Sequence, residues 1–337
     1  PGDDIVHSIA REIGSFSMSY FAMQTFFGND IQDLFDRFDA NRAIISQRLG
    51  DAGTSHPLDV GEYAVGYGQL QQIVLIPAFL AAYRDEDPNT VAVNRDYTKV
   101  LFRALPKINW QFTYNGLSKI PAFKEIFSNV SLSHGYRSVL TVNSFNTDTD
   151  FDETRPAQTE PTSLNFYSRF TIPDIVIDEQ FAPLIGIKVD FQNDLGFRVD
   201  WKKSRNLRLN FNDDRLNETN TEEYVFGFDY KMQGVEFGFI NGGKKSRSKK
   251  SKEEEEKSKK KSNNNRRRGI GRRGGAGNAG DLNFAFDFSY RSDITLFYDL
   301  KNRTTETVRG LKTIRISPSI DYDVNDQVNV RLFFERS

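Results

Sequence analysis

Along the second half of the chain, apolar side chains recur at every second position. Ile185, Ile187, Val189 and Phe191 are followed, after Gln192–Asp194, by Leu195, Phe197, Val199 and Trp201, and Leu207, Leu209 and Phe211 keep the same parity. Tyr224, Phe226, Phe228 and Tyr230 form the next set. Phe284, Phe286, Phe288 and Tyr290 follow, and after a polar break come Ile294, Leu296, Tyr298 and Leu300. Ile314, Ile316, Ile320 and Tyr322 then lead into Val328, Val330, Leu332 and Phe334. Alternation with a period of two marks strands that have one apolar and one polar face. The pattern predicts about eleven antiparallel strands joined as a meander.

The connections refine that picture. Short turns are predicted at Gln192–Asp194, Met232–Gly234 (with a short strand on to Ile240), Arg291–Asp293 and Asp323–Asp326. They alternate with longer loops at Asn212–Thr221, Asn241–Gly280 and Lys301–Arg309. Outer-membrane barrels have this asymmetry, with short turns at the periplasmic end and long loops outside. Tyr230, Tyr290 and Tyr322 each precede a short turn on the apolar face, as Tyr114 precedes Asn115–Gly116, so these four are the candidate membrane-interface aromatics. The fold class expected is all-β, an antiparallel transmembrane β-barrel with short helical insertions in its loops, in preference to a soluble sandwich, which also alternates. Lys188, Asp190, Arg198, Asp200, Lys202, Asp229, Lys231, Asp287, Arg331 and Glu335 take the opposite parity and are the candidate lumen-facing residues.

The first half is less regular. Ser15–Phe27 and Val130–Ser144 read as strands, and Asp30–Leu49 places Ile31, Leu34, Phe35 and Phe38 at helical spacing. Leu117–Phe127 reads as a short helix broken near Pro121, and Ile73–Tyr83 as a buried segment that covers or plugs the barrel. Residues 28–105 therefore form a helical and irregular insertion. If the short turns are periplasmic, Val328–Phe334 runs outward. An even strand number then predicts at least one further strand beyond this sequence.

Composition changes the picture in three places. The mean hydropathy of −0.57 conceals 29 Phe and 13 Tyr, which need a core or a membrane to cover them. The net charge of −1 conceals Lys244–Arg273, where 15 Lys and Arg stand against 4 Glu, a local +11 that leaves −12 for the remainder. Residues 241–280 read as a basic, disordered loop, and the absence of interleaved aromatics there argues against nucleic acid as a partner. There is no cysteine, and no apolar run reaches the length of a membrane-spanning helix.

Catalytic motifs are missing. His7, His56 and His134 lie in unrelated segments, and the cluster Gly269–Gly280 follows a charge run rather than a predicted strand, so it reads as linker. No enzyme activity, cofactor or metal is expected.

Longer blocks carry a family resemblance. IISQRL (Ile44–Leu49), the run from Gly66 to Tyr83 ending VLIPAFLAAY, LPKINWQFTYNGLSKIPAFKEIFSNVSLSHGYRS (Leu105–Ser138) and EQFAPLIGI (Glu179–Ile187) resemble the C-terminal part of the SprA/Sov family. KKSRNLRLNF (Lys202–Phe211) and DYDVNDQVNVRLFFERS (Asp321–Ser337) fit it too, so the resemblance covers nearly the whole chain. That family comprises the outer-membrane translocons of the Bacteroidota type IX secretion system, also associated with gliding motility. It implies that residues 1–337 are the C-terminal portion of one very large barrel, of about 36 strands, exporting folded proteins from periplasm to cell surface. It also implies as partners outer-membrane lipid, a PorV-like barrel protein, a periplasmic plug protein and cargo with a C-terminal secretion domain. The Lys/Glu/Arg tract departs from the pattern. The alternatives are a TonB-dependent nutrient receptor barrel, which periodicity alone does not separate from a translocon, and a β-rich adhesive module.

Overall fold

The structure is a computed structural model that describes residues 11–27, 30–51, 53–59, 61–96, 100–101, 106–235, 280–325 and 328–336. Its ten strands are β1 (Ile13–Ser19), β2 (Trp110–Tyr114), β3 (Phe127–Thr147), β4 (Phe170–Thr171), β5 (Asp174–Phe191), β6 (Leu195–Asn210), β7 (Arg215–Val235), β8 (Gly280–Asp299), β9 (Thr304–Asn325) and β10 (Val328–Phe333). All pairings are antiparallel, and they form one sheet in the order β1-β3-β5-β6-β7-β8-β9-β10. β2 and β4 pair with β3 off this path. The antiparallel β class is therefore as expected. The sheet is open, with β10 at one edge and β1 and β2 at the other, so these residues do not close a barrel.

The strands are longer than the alternation suggests, and four predicted connections are corrected. Arg291–Asp293 is no turn, because β8 runs unbroken from Gly280 to Asp299 and Arg291 pairs with both Glu223 and Thr313. Met232–Gly234 is no turn either. β7 continues to Val235 through a register shift, with Gly234 at φ +71°, a backbone angle that favours glycine. The loop expected over Asn212–Thr221 is mostly strand, as only 211–214 separate β6 from β7. Likewise, 300–303 join β8 to β9 in place of Lys301–Arg309. The turn Gln192–Asp194 stands as read, and β9 extends to Asn325.

These corrections alter the assignment of ends. The turn 192–194 and the connection leaving Val235 and returning to Gly280 lie at one end of the sheet, while 211–214 and 300–303 lie at the other. Short turns thus occur at both ends, and the supposed asymmetry is lost. Lys244–Arg273, the glycine cluster before Gly280, the short strand to Ile240 and His7 lie outside the described residues.

β1 and β2 share one strand position on β3. Ser19 pairs with Val139 and Trp110 with Tyr136, and the Lys107 N–H donates to the Ser19 carbonyl at 3.0 Å. The helical insertion therefore leaves and re-enters the sheet at a gap halfway along one edge. It contains α1 (Ile31–Leu49), whose first turn is capped by the Asp30 carboxylate accepting from Gln32 N at 3.1 Å. It also contains α2 (Gln72–Arg84), which remains helical through Pro77 because every residue from Ile73 to Tyr83 is buried. The expected break at Pro121 appears as a 3-10 turn (Gly116–Lys119) followed by the short helix α3 (Pro121–Lys124).

α1 and α2 form the main core with one half of the sheet. Leu34, Phe35, Phe38 and Ile45 pack with Leu140, Val142, Ile175, Ile177, Leu207, Leu209, Leu216 and Tyr298, all nearly without exposure. Ile73–Tyr83 thus covers the sheet from one side.

Candidate functional site

The half of the sheet beyond the helices carries the site. Cross-strand register aligns the aromatic face of β5–β9 into consecutive rows. From the end bearing turn 192–194, the first is Met232, Leu282 and Tyr322, and the second is Leu195, Tyr230, Phe284 and Ile320. Next come Val189, Phe197, Phe228, Phe286 and Pro318, and then Ile187, Val199, Phe226, Phe288 and Ile316. The fifth row is Ile185, Trp201, Tyr224, Tyr290 and Ile314. No Asp, Glu, Lys or Arg stands on this face of β5–β9 in the five rows.

Neighbouring rings make lateral contacts, with Phe197–Phe228 at 5.2 Å and Phe228–Phe284 at 5.9 Å between centroids. Ile185 and Ile314 are each 52% exposed, and no second sheet covers the rows among the described residues. The sixth row is Lys203, Glu222, Ser292 and Lys312. The face changes from apolar to charged within one step.

The four candidate interface aromatics do not share one height. Tyr322 lies in the first row and Tyr230 in the second, but Tyr290 lies in the middle of β8, six residues beyond Phe284, the partner of Tyr230. Tyr114 pairs with Leu132, itself paired with Ile187, and belongs to the fourth row. A single girdle is thus overturned. Instead, Tyr230 and Tyr322 stand at one margin of the apolar rows, and Trp201, Tyr224 and Tyr290 at the other. Trp201 stacks on Tyr224 at 5.9 Å, and both donate to Glu222 Oε1 at 2.9 Å, from Nε1 and the hydroxyl respectively. Sequence reading passed over Trp201 and Tyr224 because neither stands beside a turn.

All ten candidate lumen-facing residues share the opposite, polar face. Arg198 reaches Asp287 on β8 (3.1 Å) and Asp200 two residues along its own strand (3.6 Å), and Lys188 meets Asp190 at 3.5 Å. Lys202 reaches Glu223 at 3.4 Å, Lys231 reaches Asp281 at 3.1 Å, and Arg331 reaches Asp321 at 3.3 Å. Glu335 pairs with Arg315. Asp229 lies across the strand from Gly196, where a Cβ would come within 2.5 Å of its carboxylate. Both signs of charge interleave along the face.

A second feature was not legible in the sequence. Above the charged row, Arg205, Glu179 and Glu218 are buried where the sheet meets the helical insertion. Arg205 donates to Glu179 Oε2 at 2.6 Å and to the carbonyls of Thr25 (3.0 Å) and Ala22 (3.1 Å), which lie just before α1. Tyr136 donates to Glu179, and Tyr83 of α2 donates to Glu218 at 2.8 Å. Burial raises the Glu218 carboxyl above its ordinary range, against the pull of Arg205. It also raises the Tyr83 phenol well above its ordinary range, with Glu218 adding to the shift. The three charged groups come from strands that read simply as alternating, so only their pairing reveals the network.

His56 lies 3.3 Å from Asp59, and His134 bonds the Leu184 carbonyl at 2.7 Å. Among the described residues, no cluster of metal-ligating side chains occurs. No protein-family model matches the chain, and no curated protein matches it.

Proposed function

We propose that this chain supplies part of the wall of an outer-membrane channel that exports folded proteins from the periplasm to the cell surface. The observation that carries the reading is the five-row apolar belt with aromatic margins, backed by a polar face along the same strands. From Leu282 in the first row to Tyr290 in the fifth is eight residues, about 27 Å along a strand. At a strand tilt of 35–45°, that corresponds to about 19–22 Å of thickness, close to the apolar band of about 25 Å in outer-membrane barrels. A soluble sandwich would bury these rows against a second sheet.

In this reading the belt faces lipid, and Lys188, Arg198, Asp200 and Asp287 keep a lumen hydrated. A lining of mixed sign selects no particular ion and suits cargo of varied surface. The family blocks support protein cargo, with type IX secretion and gliding motility as the setting and a PorV-like barrel, a periplasmic plug protein and proteins with a C-terminal secretion domain as partners. The chain would do no chemistry of its own.

The test is to deplete the full-length protein in its parent organism and quantify exported proteins in medium, cell surface and periplasm by mass spectrometry. Retention in the periplasm of proteins sharing a C-terminal domain is the expected result. Normal secretion with a growth defect on a single nutrient would replace this reading with a nutrient receptor.

A further inference from the structure

The belt's upper margin borders a cleft of about 340 Å³ between the start of α1 and the aromatic face of β6–β8. Its chemistry is two-sided. Lys203 approaches from β6, held over the rings of Phe26 and Phe27 at 5.7 and 5.3 Å, and no carboxylate of a described residue lies within salt-bridge distance of its ammonium. Arg205, buried two residues along the same face of β6, is engaged by Glu179 and the carbonyls of Thr25 and Ala22, which leaves Lys203 as the cleft's open cation. Asp30 and Glu222 contribute carboxylates to the same cleft, Glu218 a buried carboxyl bonded by Tyr83, and Ser292 a hydroxyl.

A purely anionic ligand would meet those carboxylates, and a purely cationic one would meet Lys203. A zwitterion satisfies both. The cleft also sits one row past Trp201, Tyr224 and Tyr290, the depth at which lipid headgroups meet such aromatics. We propose that this cleft binds a phosphoethanolamine group, its phosphate beside Lys203 and its ammonium beside Glu222 and Asp30. Two sources share that chemistry: a phosphatidylethanolamine headgroup and a phosphoethanolamine substituent on lipopolysaccharide. The assignment of the aromatic face to lipid rests on the proposed function, whereas the headgroup chemistry of the cleft does not.

The experiment uses the protein extracted from its membrane in mild detergent, with native mass spectrometry reading the lipid retained. Equal amounts of phosphatidylethanolamine, phosphatidylglycerol and phosphatidylcholine are offered in competition, alongside lipopolysaccharide with and without phosphoethanolamine. Retention of the ethanolamine lipids at least fivefold above the others is expected. Lys203→Gln should abolish that retention, Glu222→Gln should remove the preference over phosphatidylglycerol, and Lys301→Gln on an exposed turn should change neither. Which of the two ethanolamine-bearing ligands is retained identifies the source.

Preference for phosphatidylglycerol, or retention indifferent to Lys203→Gln, would overturn the assignment. Water-soluble glycerophosphoethanolamine, titrated by calorimetry, separates the two readings. Its binding to a protein that alkaline carbonate releases from membranes would sink the wall and spare the site. Its failure to bind a protein that stays in the membrane, with no ethanolamine lipid retained, would do the reverse.

Discussion

Arg205 concentrates the physics of the join between insertion and sheet. One guanidinium satisfies two backbone carbonyls and a buried carboxylate, so Arg205→Met strands Glu179 with Tyr136 as its remaining hydroxyl partner. Breaking a buried pair from one side costs about 3–5 kcal/mol. Amide exchange in α1 and α2 should accelerate more than in β8, a difference that hydrogen-exchange mass spectrometry would detect. Glu218 makes a separate prediction. Because burial raises its carboxyl, the folded protein keeps this proton at a pH where the unfolded chain has lost it. Stability from this group is therefore greatest in acid, falls as pH rises from the ordinary glutamate range to the raised value, and is level beyond it. Glu218→Gln should flatten that part of the pH profile in detergent-solubilised protein; an unchanged slope would place its origin elsewhere.

At the scale of the strand, the two faces make opposite demands on adjacent residues. Phe286 lies in the middle row of the belt between Phe228 and Pro318, and Ala285 lies on the polar face between Asp229 and Ser319. An arginine on the lipid face at mid-depth costs about 2–4 kcal/mol. Phe286→Arg should therefore lower assembled protein in the outer membrane severely, while Ala285→Arg, beside Asp229, should be tolerated. Heat-modifiable mobility on gels would measure both. Equal tolerance would mean that the rows do not face lipid.

Elements also explain what the sequence made legible. Period-two alternation identified the sheet and sorted every candidate charge to its face, because side-chain direction in a strand depends on parity alone. Strand ends were misread because the polar breaks in β7, β8 and β9 look like turns. Glu222, Ser292 and Lys312 in fact pair in one row, as do Thr221, Asp293 and Leu311. The breaks mark where apolar exposure stops, and the strands run on beneath the helices. Helical spacing found α1, but no local pattern tells which face of the sheet it will cover.

For the whole molecule, topology bears on sidedness. Beyond the fifth row the wall continues from Tyr290 to Asp299 under the helical insertion, and the long connection 148–169 belongs to the same end. Barrels place their larger elaborations outside, so this end would face the exterior and the turn 192–194 the periplasm. The connection between Val235 and Gly280 leaves from the latter end, so under this orientation Lys244–Arg273 would start from the periplasmic side, whereas loop lengths alone predict that it is external. Since the chain holds no cysteine, single cysteines report position cleanly. Asn302→Cys should react with a membrane-impermeant maleimide on intact cells, and Asn193→Cys only after the outer membrane is permeabilised. Trypsin cleavage within Lys244–Arg273 should follow Asn193. The opposite labelling pattern would invert the wall, put the helical insertion in the periplasm and move the ethanolamine-binding cleft from the outer leaflet to the inner one.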